Sequence, residues 1–76
     1  MNTVNIPADT VEITVITDHP VIVSFDDAED GVIECYEVRG STKAFVREIE
    51  RLGWHLADTV EWDSSVNLQV YKKAAR

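Results

Sequence analysis

The side chains that could do chemistry in this chain are few. Cys35 is the only thiol, and His19 and His55 are the only imidazoles. A nucleophilic pair such as Cys35 with His55 needs its two side chains within hydrogen-bond distance, and no motif joins them. A lone cysteine in a predicted strand is typical of a small core residue, and it excludes an internal disulfide and a cysteine zinc site. We therefore predict a non-enzymatic protein with no catalytic residue, no metal and no cofactor.

The segment from Asp26 to Glu37 resembles a twelve-residue calcium-binding loop in its acids and in its glycine at the sixth position. It departs from that pattern at the third position, where Ala28 has no ligand oxygen. The preceding residues 21–25 are rich in β-branched side chains, and this segment is too short for an entering helix. A strand would also place Glu34 and Glu37 on opposite faces. The pattern favours an acidic hairpin loop over a calcium site.

The acidic residues are concentrated in the first half of the chain. Residues 1–38 contain nine Asp and Glu and neither Lys nor Arg, whereas residues 39–76 contain five acids and all seven bases, for a formal net charge of −7. Local ion pairs cannot neutralise the first half, so it is predicted to project a negative field. Such a field speeds encounter with a basic partner and repels nucleic acid and anionic membranes. The simpler reading is that acidity only keeps a small protein dissolved.

Periodicity predicts one domain, residues 1–76, with frayed ends at 1–9 and 72–76. Strands are expected at 11–17, 21–25, 32–38, 54–62 and 66–71. A helix over roughly 42–52 is expected between the third and fourth strands, capped by Ser41 or Thr42 and ended by Gly53 in a left-handed conformation. Its stripe comprises Phe45, Ile49 and Leu52. The predicted class is α+β: a small, mainly antiparallel sheet in the order β-β-β-α-β-β, with one amphipathic helix on one face.

One helix covers one face of a sheet, so alternation also assigns the faces. The strand residues predicted to face in are Val11, Ile13, Val15, Trp54, Leu56, Val60, Trp62, Val66, Leu68 and Val70. The residues predicted on the uncovered face are Glu12, Thr14, His55, Thr59, Glu61, Asn67, Gln69 and Tyr71, with Glu34 and Tyr36. That face would be acidic and rich in hydroxyl groups, and the helix exterior would carry a basic row of Lys43, Arg47 and Arg51.

These patterns predict a binding protein that uses carboxylates to occupy Lys and Arg sites meant for phosphates. The partner would be a basic surface of a nucleic-acid-binding protein, and direct binding to nucleic acid or to a membrane is not expected. The chain itself would be a monomer or weak homodimer. The predicted partner-binding residues are Asp26, Asp27, Glu29, Asp30, Glu12, Glu34, Glu61 and Tyr71.

In its size and concentrated acid, the chain is similar to small phage proteins that block nucleic-acid-binding machinery, such as anti-CRISPR proteins and DNA mimics. This likeness is one of composition and implies an inhibitor of a nucleic-acid-processing complex. Two alternatives stay open: a housekeeping interaction module or homodimeric structural subunit, and a small metal-dependent or hydrolytic enzyme. The N-terminal residues lack the basic and apolar stretches of a secretory signal, so a cytoplasmic location is expected.

Overall fold

The computed structural model describes residues 4–29 and 31–73. In that part of the chain, five strands form one antiparallel sheet, and one helix packs on it. The elements are β1 (Glu12–Ile16), β2 (Ile22–Asp26), β3 (Val32–Glu37), α1 (Thr42–Arg51), β4 (Trp54–Asp63) and β5 (Val66–Lys73). The strand order is β3-β2-β1-β5-β4. The predicted α+β class and element order are confirmed.

The ends of α1 follow from two local residues. The Ser41 side chain accepts a hydrogen bond from the Ala44 N–H at 3.2 Å, and Ser41 is therefore the N-cap. Gly53 has a φ of +104°, a conformation that favours glycine, and its N–H donates to the Glu50 carbonyl at 3.0 Å. The predicted bounds of the helix are confirmed to within one residue. Leu52 is the C-cap, and the prediction that it is largely buried is wrong because its side chain is 37 % exposed.

The core lies between α1 and one face of the sheet. Two residues each from β1, β2 and α1 join one residue each from β4 and β5. The buried residues are Ile13, Val15, Val23, Phe25, Phe45, Ile49, Trp54 and Tyr71. Tyr36 on β3 packs at the margin, with its ring centroid 5.7 Å from that of Phe25. We call the sheet face that α1 leaves uncovered the open face.

The facing of β5 is the reverse of the prediction. Tyr71 is the cross-strand partner of the fully buried Ile13, so it lies on the helix side and is itself buried. Residues alternate between faces along a strand, so Asn67 and Gln69 share the helix side. Val66, Leu68 and Val70 consequently lie half-buried on the open face. The aliphatic residues of β5 thus lie on the open face and its polar residues on the helix side, because the long-range pairing with β1 fixes the register.

A register shift in β4 produces a second correction. The pairing skips Ala57, with Leu56 opposite Tyr71 and Asp58 opposite Val70. Because this bulge changes the parity of the strand, Leu56 lies on the helix side and Val60 on the open face, and both are exposed. Their predicted burial on one shared face is wrong. Val11 and Trp62, also predicted to face in, are 46 % and 67 % exposed, so these predictions are wrong too.

The segments predicted to fray fall partly outside the described residues. Within the described part, Lys72 and Lys73 belong to β5, and Val4 and Ile6 pack against the core. In the described residues, no helix is long and apolar enough to cross a membrane.

Candidate functional site

The open face is graded from charged to apolar along the strand direction. Cross-strand neighbours share a face, so the registers define three rows. The charged row contains Asp26, Glu12, Lys72 and His55, with Val32 at its β3 edge. The hydroxyl row contains Cys35, Ser24, Thr14, Val70 and Asp58. The apolar row contains Ile22, Ile16, Leu68 and Val60, with Glu37 at its β3 edge.

Two carboxylates stand directly opposite each other in the charged row. Glu12 on β1 pairs with Asp26 on β2, and like charges placed directly across a sheet are destabilising. Hydroxyl groups of the next row offset part of this cost. Ser24 donates to one Asp26 oxygen at 3.0 Å and Thr14 donates to the other at 3.4 Å. The Lys72 Nζ lies 3.9 Å from a Glu12 carboxylate oxygen.

The loop after β2 continues this acidic surface. One oxygen of Asp27 accepts hydrogen bonds from the Glu29 N–H at 3.0 Å and the Gly31 N–H at 2.8 Å. The backbone N–H of Asp27 donates to the Gly31 carbonyl at 2.9 Å. The carboxylate of Asp27 therefore holds the loop in shape, while Glu29 is exposed. We define the acidic end as Glu12, Asp26, Asp27 and Glu29; Asp30, also predicted to bind a partner, lies outside the described residues.

The calcium-like spacing does not produce a converging ligand set. Glu34 pairs with Phe25 on the helix side, whereas Glu37 pairs with Ile22 on the open face. One oxygen of Asp27 already accepts two loop N–H groups. Among the described residues, no group of three or more His, Cys, Asp and Glu side chains is placed to hold a metal ion.

Three predicted partner-binding residues lie away from the acidic end. Tyr71 is 4 % exposed and belongs to the core, so its prediction as a surface residue is wrong. Burial raises the pKa of the Tyr71 phenol, and the negative charge of Glu50 raises it further. Glu34 and Glu61 are exposed, but their cross-strand partners place them on the helix side of the sheet, and Tyr36 lies there too.

The fold leaves most of the acidic first half without basic partners. Among the described residues, ion pairs join Arg51 to Glu48 at 2.6 Å and Lys72 to Glu12 at 3.9 Å. Only the second pair neutralises an acid of the first half. The described acids of that half with no described basic group within 4 Å are Asp9, Asp18, Asp26, Asp27, Glu29, Glu34 and Glu37. The charge asymmetry of the sequence therefore persists in the folded protein.

The thiol and imidazole groups are far apart. Cys35 is on the edge strand β3 and His55 is on the opposite edge strand β4. Strands are spaced about 4.8 Å apart, so four spacings separate these side chains by about 19 Å. His19 lies exposed in the turn between β1 and β2. The Cys35 and His55 pair does not form a nucleophilic site.

A groove of about 580 Å³ lies between the end of β3 and the start of α1. Its lining includes Tyr36, Val38, Phe45 and Glu48. The hydrogen bond from Arg51 holds the pKa of Glu48 below its ordinary value. This carboxylate is therefore poorly suited to act as a general acid near neutral pH.

Sequence reasoning missed two features of the open face. It assigned Lys72 to a frayed tail, and it did not predict the apolar row. The signal for the row was present in β4, where Asp58 interrupts the alternation of apolar residues. A polar residue at an apolar position of a strand is one sign of a bulge. The signal in β5 was Tyr71, because a large aromatic side chain gains most from burial.

No protein-family model, curated protein or solved structure matches this chain. Its function is therefore inferred from the geometry of the described residues.

Proposed function

We propose that the protein is a non-enzymatic binding protein of the cytoplasm. Its acidic end occupies the Lys and Arg side chains that a nucleic-acid-processing protein uses to hold phosphates, and so inhibits that protein. The observation that carries this proposal is the direct cross-strand pairing of Glu12 with Asp26 on the open face. Such a pairing lowers stability, so a basic partner placed over it relieves repulsion as well as adding attraction.

The surroundings of the pair support the same interpretation. Asp27 and Glu29 extend the negative surface, and Lys72 is the one base within ion-pair distance of Glu12 in the described chain. Each exposed charge pair contributes only about 0–1 kcal/mol, but several carboxylates together steer the encounter and raise the association rate. The expected complex therefore weakens as salt rises, because the screening length falls to about 8 Å at 0.15 M salt.

The test compares two variants with the same change in net charge. The first carries Glu12→Gln, Asp26→Asn and Glu29→Gln at the acidic end. The second carries Asp18→Asn, Glu37→Gln and Asp63→Asn at the opposite end of the sheet. Asn at 18, 26 and 63 keeps one oxygen to accept from the His19 N–H, the Ser24 hydroxyl and the Ser64 N–H. Asp27 stays unchanged because it holds its loop.

The wild-type chain and both variants are immobilised, exposed to nuclease-treated lysate and washed at low salt. We expect the wild-type chain and the second variant to capture nucleic-acid-binding proteins that duplex DNA releases, and the first variant to lose at least tenfold of that capture. Equal loss in both variants would show that net charge alone acts. Capture that duplex DNA does not displace would contradict mimicry of phosphates.

A further inference from the structure

The outer edge of β3 carries backbone groups that have no hydrogen-bond partner among the described residues. β3 is the last strand of the sheet, and β2 is the strand that pairs with it. The Val38 N–H donates to the Val21 carbonyl at 2.8 Å. Because hydrogen-bonded and non-hydrogen-bonded pairs alternate along antiparallel strands, Cys35 and Glu37 are in non-hydrogen-bonded pairs with β2. Their N–H and C=O groups therefore point away from the sheet.

The other edge strand, β4, is less suited to further pairing. Its pairing with β5 shifts register twice, and bulges twist an edge and interrupt the backbone groups that a further strand would need. β3 has one shift, opposite Asp26, and its register is regular from Glu34 to Glu37. The β3 edge therefore presents an even series of donors and acceptors, the template on which an extended peptide adds to a sheet.

The charge at this edge favours a basic peptide. β1, β2 and β3 contain four acids and neither Lys nor Arg. Glu34 is exposed on the helix side of β3 and Glu37 is exposed on the open face, and no described base lies within 4 Å of either carboxylate. Arg39 lies beyond the end of the strand. Lys or Arg opposite each glutamate forms a favourable cross-strand pair, whereas a second acidic strand is repelled.

The groove between β3 and α1 provides space for one apolar side chain beside this edge. Tyr36 and Val38 line it from the strand and Phe45 lines it from the helix, and its volume is about 580 Å³. Tyr36 and Val38 are on the helix side of the sheet because their cross-strand neighbours there include the buried Val23. In an added strand, the residue opposite Tyr36 lies on the same side, so its side chain lies over the groove.

We propose that β3 binds an extended basic segment of a partner protein as an added antiparallel strand. Backbone hydrogen bonds to Cys35 and Glu37 supply the affinity, and the groove and the two glutamates select the segment. From its N-terminus, the segment places a basic residue opposite Glu37, an aliphatic residue opposite Tyr36, a small residue opposite Cys35 and a basic residue opposite Glu34. The site uses none of the residues of the acidic end, so the inference does not depend on the proposed function.

The test uses peptides that have the same charge and differ only in which backbone amides are methylated. The parent peptide is Thr-Thr-Arg-Leu-Thr-Arg-Thr-Thr with both ends blocked. The inward-methylated peptide is N-methylated at the first Arg and at the Thr after Leu, which lie opposite Glu37 and Cys35 and donate to β3. The outward-methylated peptide is N-methylated at Leu and at the second Arg, whose N–H groups point away from β3.

The full chain is titrated with each peptide and followed by amide NMR and hydrogen exchange, under reducing conditions because Cys35 is an exposed thiol. We expect the parent and the outward-methylated peptide to bind alike. The inward-methylated peptide should bind about tenfold more weakly, because two hydrogen bonds to β3 are lost. In the complex with the parent peptide, the amides of Cys35 and Glu37 should exchange more slowly than in the free chain.

Two double variants with the same change in net charge test the glutamates. Glu34→Gln with Glu37→Gln should weaken binding of the parent peptide, and Glu61→Gln with Asp63→Asn on β4 should weaken it less. The triple variant of the acidic end should still distinguish the two methylated peptides, so this inference and the proposed function fail separately. No binding of the parent peptide, equal binding of the two methylated peptides, slowed exchange outside β3 alone, or equal weakening by both double variants would overturn the inference.

Discussion

At the scale of single residues, the burial of Tyr71 in the core changes the pKa of an ionisable side chain. Its side chain is buried in the core, and both burial and the charge of Glu50 raise the pKa of its phenol. Burial also raises the pKa of Tyr36, with a further contribution from Glu34. Both tyrosines of the chain therefore favour the neutral phenol in the folded state.

The shifted pKa values predict a loss of stability at alkaline pH. Below pH about 10, the pKa of an unfolded tyrosine, both states are protonated and the tyrosines add no pH dependence. Above it, the unfolded chain loses phenol protons that the folded chain retains, so the free energy of unfolding falls as pH rises towards the folded pKa values. Urea titrations from pH 8 to 11 should show this fall, and Tyr71→Phe should reduce its slope. A tyrosinate absorbance titration of the folded chain with a midpoint at or below that of the urea-unfolded chain would disprove the shift.

At the scale of elements, the sequence predicted what depends on nearby residues and missed what depends on distant ones. Ser41, Gly53 and the stripe of Phe45 and Ile49 act within one helix, and α1 begins and ends as expected. Alternation in β5 is equally good for either face, and only its pairing with β1, more than fifty residues away, decides between them.

The candidate site, too, could be predicted from the sequence only in part. Acids of the first half could be named from the sequence, and Glu12 was placed correctly on the open face. Its pairing with Asp26 and the approach of Lys72 arise from contacts between strands. The bulge at Ala57 moved Val60 to the open face, and Asp58 was its only sign in the alternation of β4.

The register of β5 predicts different costs for two neighbouring truncations. Tyr71→Ala removes a buried aromatic side chain and should lower the free energy of unfolding by about 3–5 kcal/mol, as for other large core aromatics. Leu68→Ala removes a half-buried side chain from the open face and should cost less than the 2–5 kcal/mol typical of a core leucine. Chemical denaturation of the two variants and the wild-type chain compares these losses. A larger loss for Leu68→Ala than for Tyr71→Ala would mean that the aliphatic series of β5 faces the core.

At the scale of the whole molecule, the fold keeps the acids of the first half apart from the bases of the second half, which compaction would be expected to bring together. Within residues 4–29 and 31–73, seven acids of the first half lack a basic group within ion-pair distance, while Lys43 and Arg47 are exposed on α1. Net charge far from zero disfavours the compact state through self-repulsion. The protein therefore retains a negative field at a cost in its own stability, and that cost is measurable without any partner.

Salt should raise the melting temperature of the isolated chain. The screening length shortens from about 30 Å at 0.01 M to about 8 Å at 0.15 M salt, which weakens repulsion among the unpaired acids. About 1 kcal/mol corresponds to about 4–8 °C in a domain of this size, so a rise of a few degrees is expected between these conditions.

The triple variant Glu29→Gln, Glu34→Gln and Glu37→Gln changes the net charge from −7 to −4 and should flatten the rise. Lys43→Gln with Arg47→Gln changes it to −9 and should steepen it. Calorimetric melts of the three proteins in NaCl provide the comparison. Equal salt dependence in all three proteins would mean that the acids are neutralised within the fold, and the acidic end would then have no field with which to attract a partner.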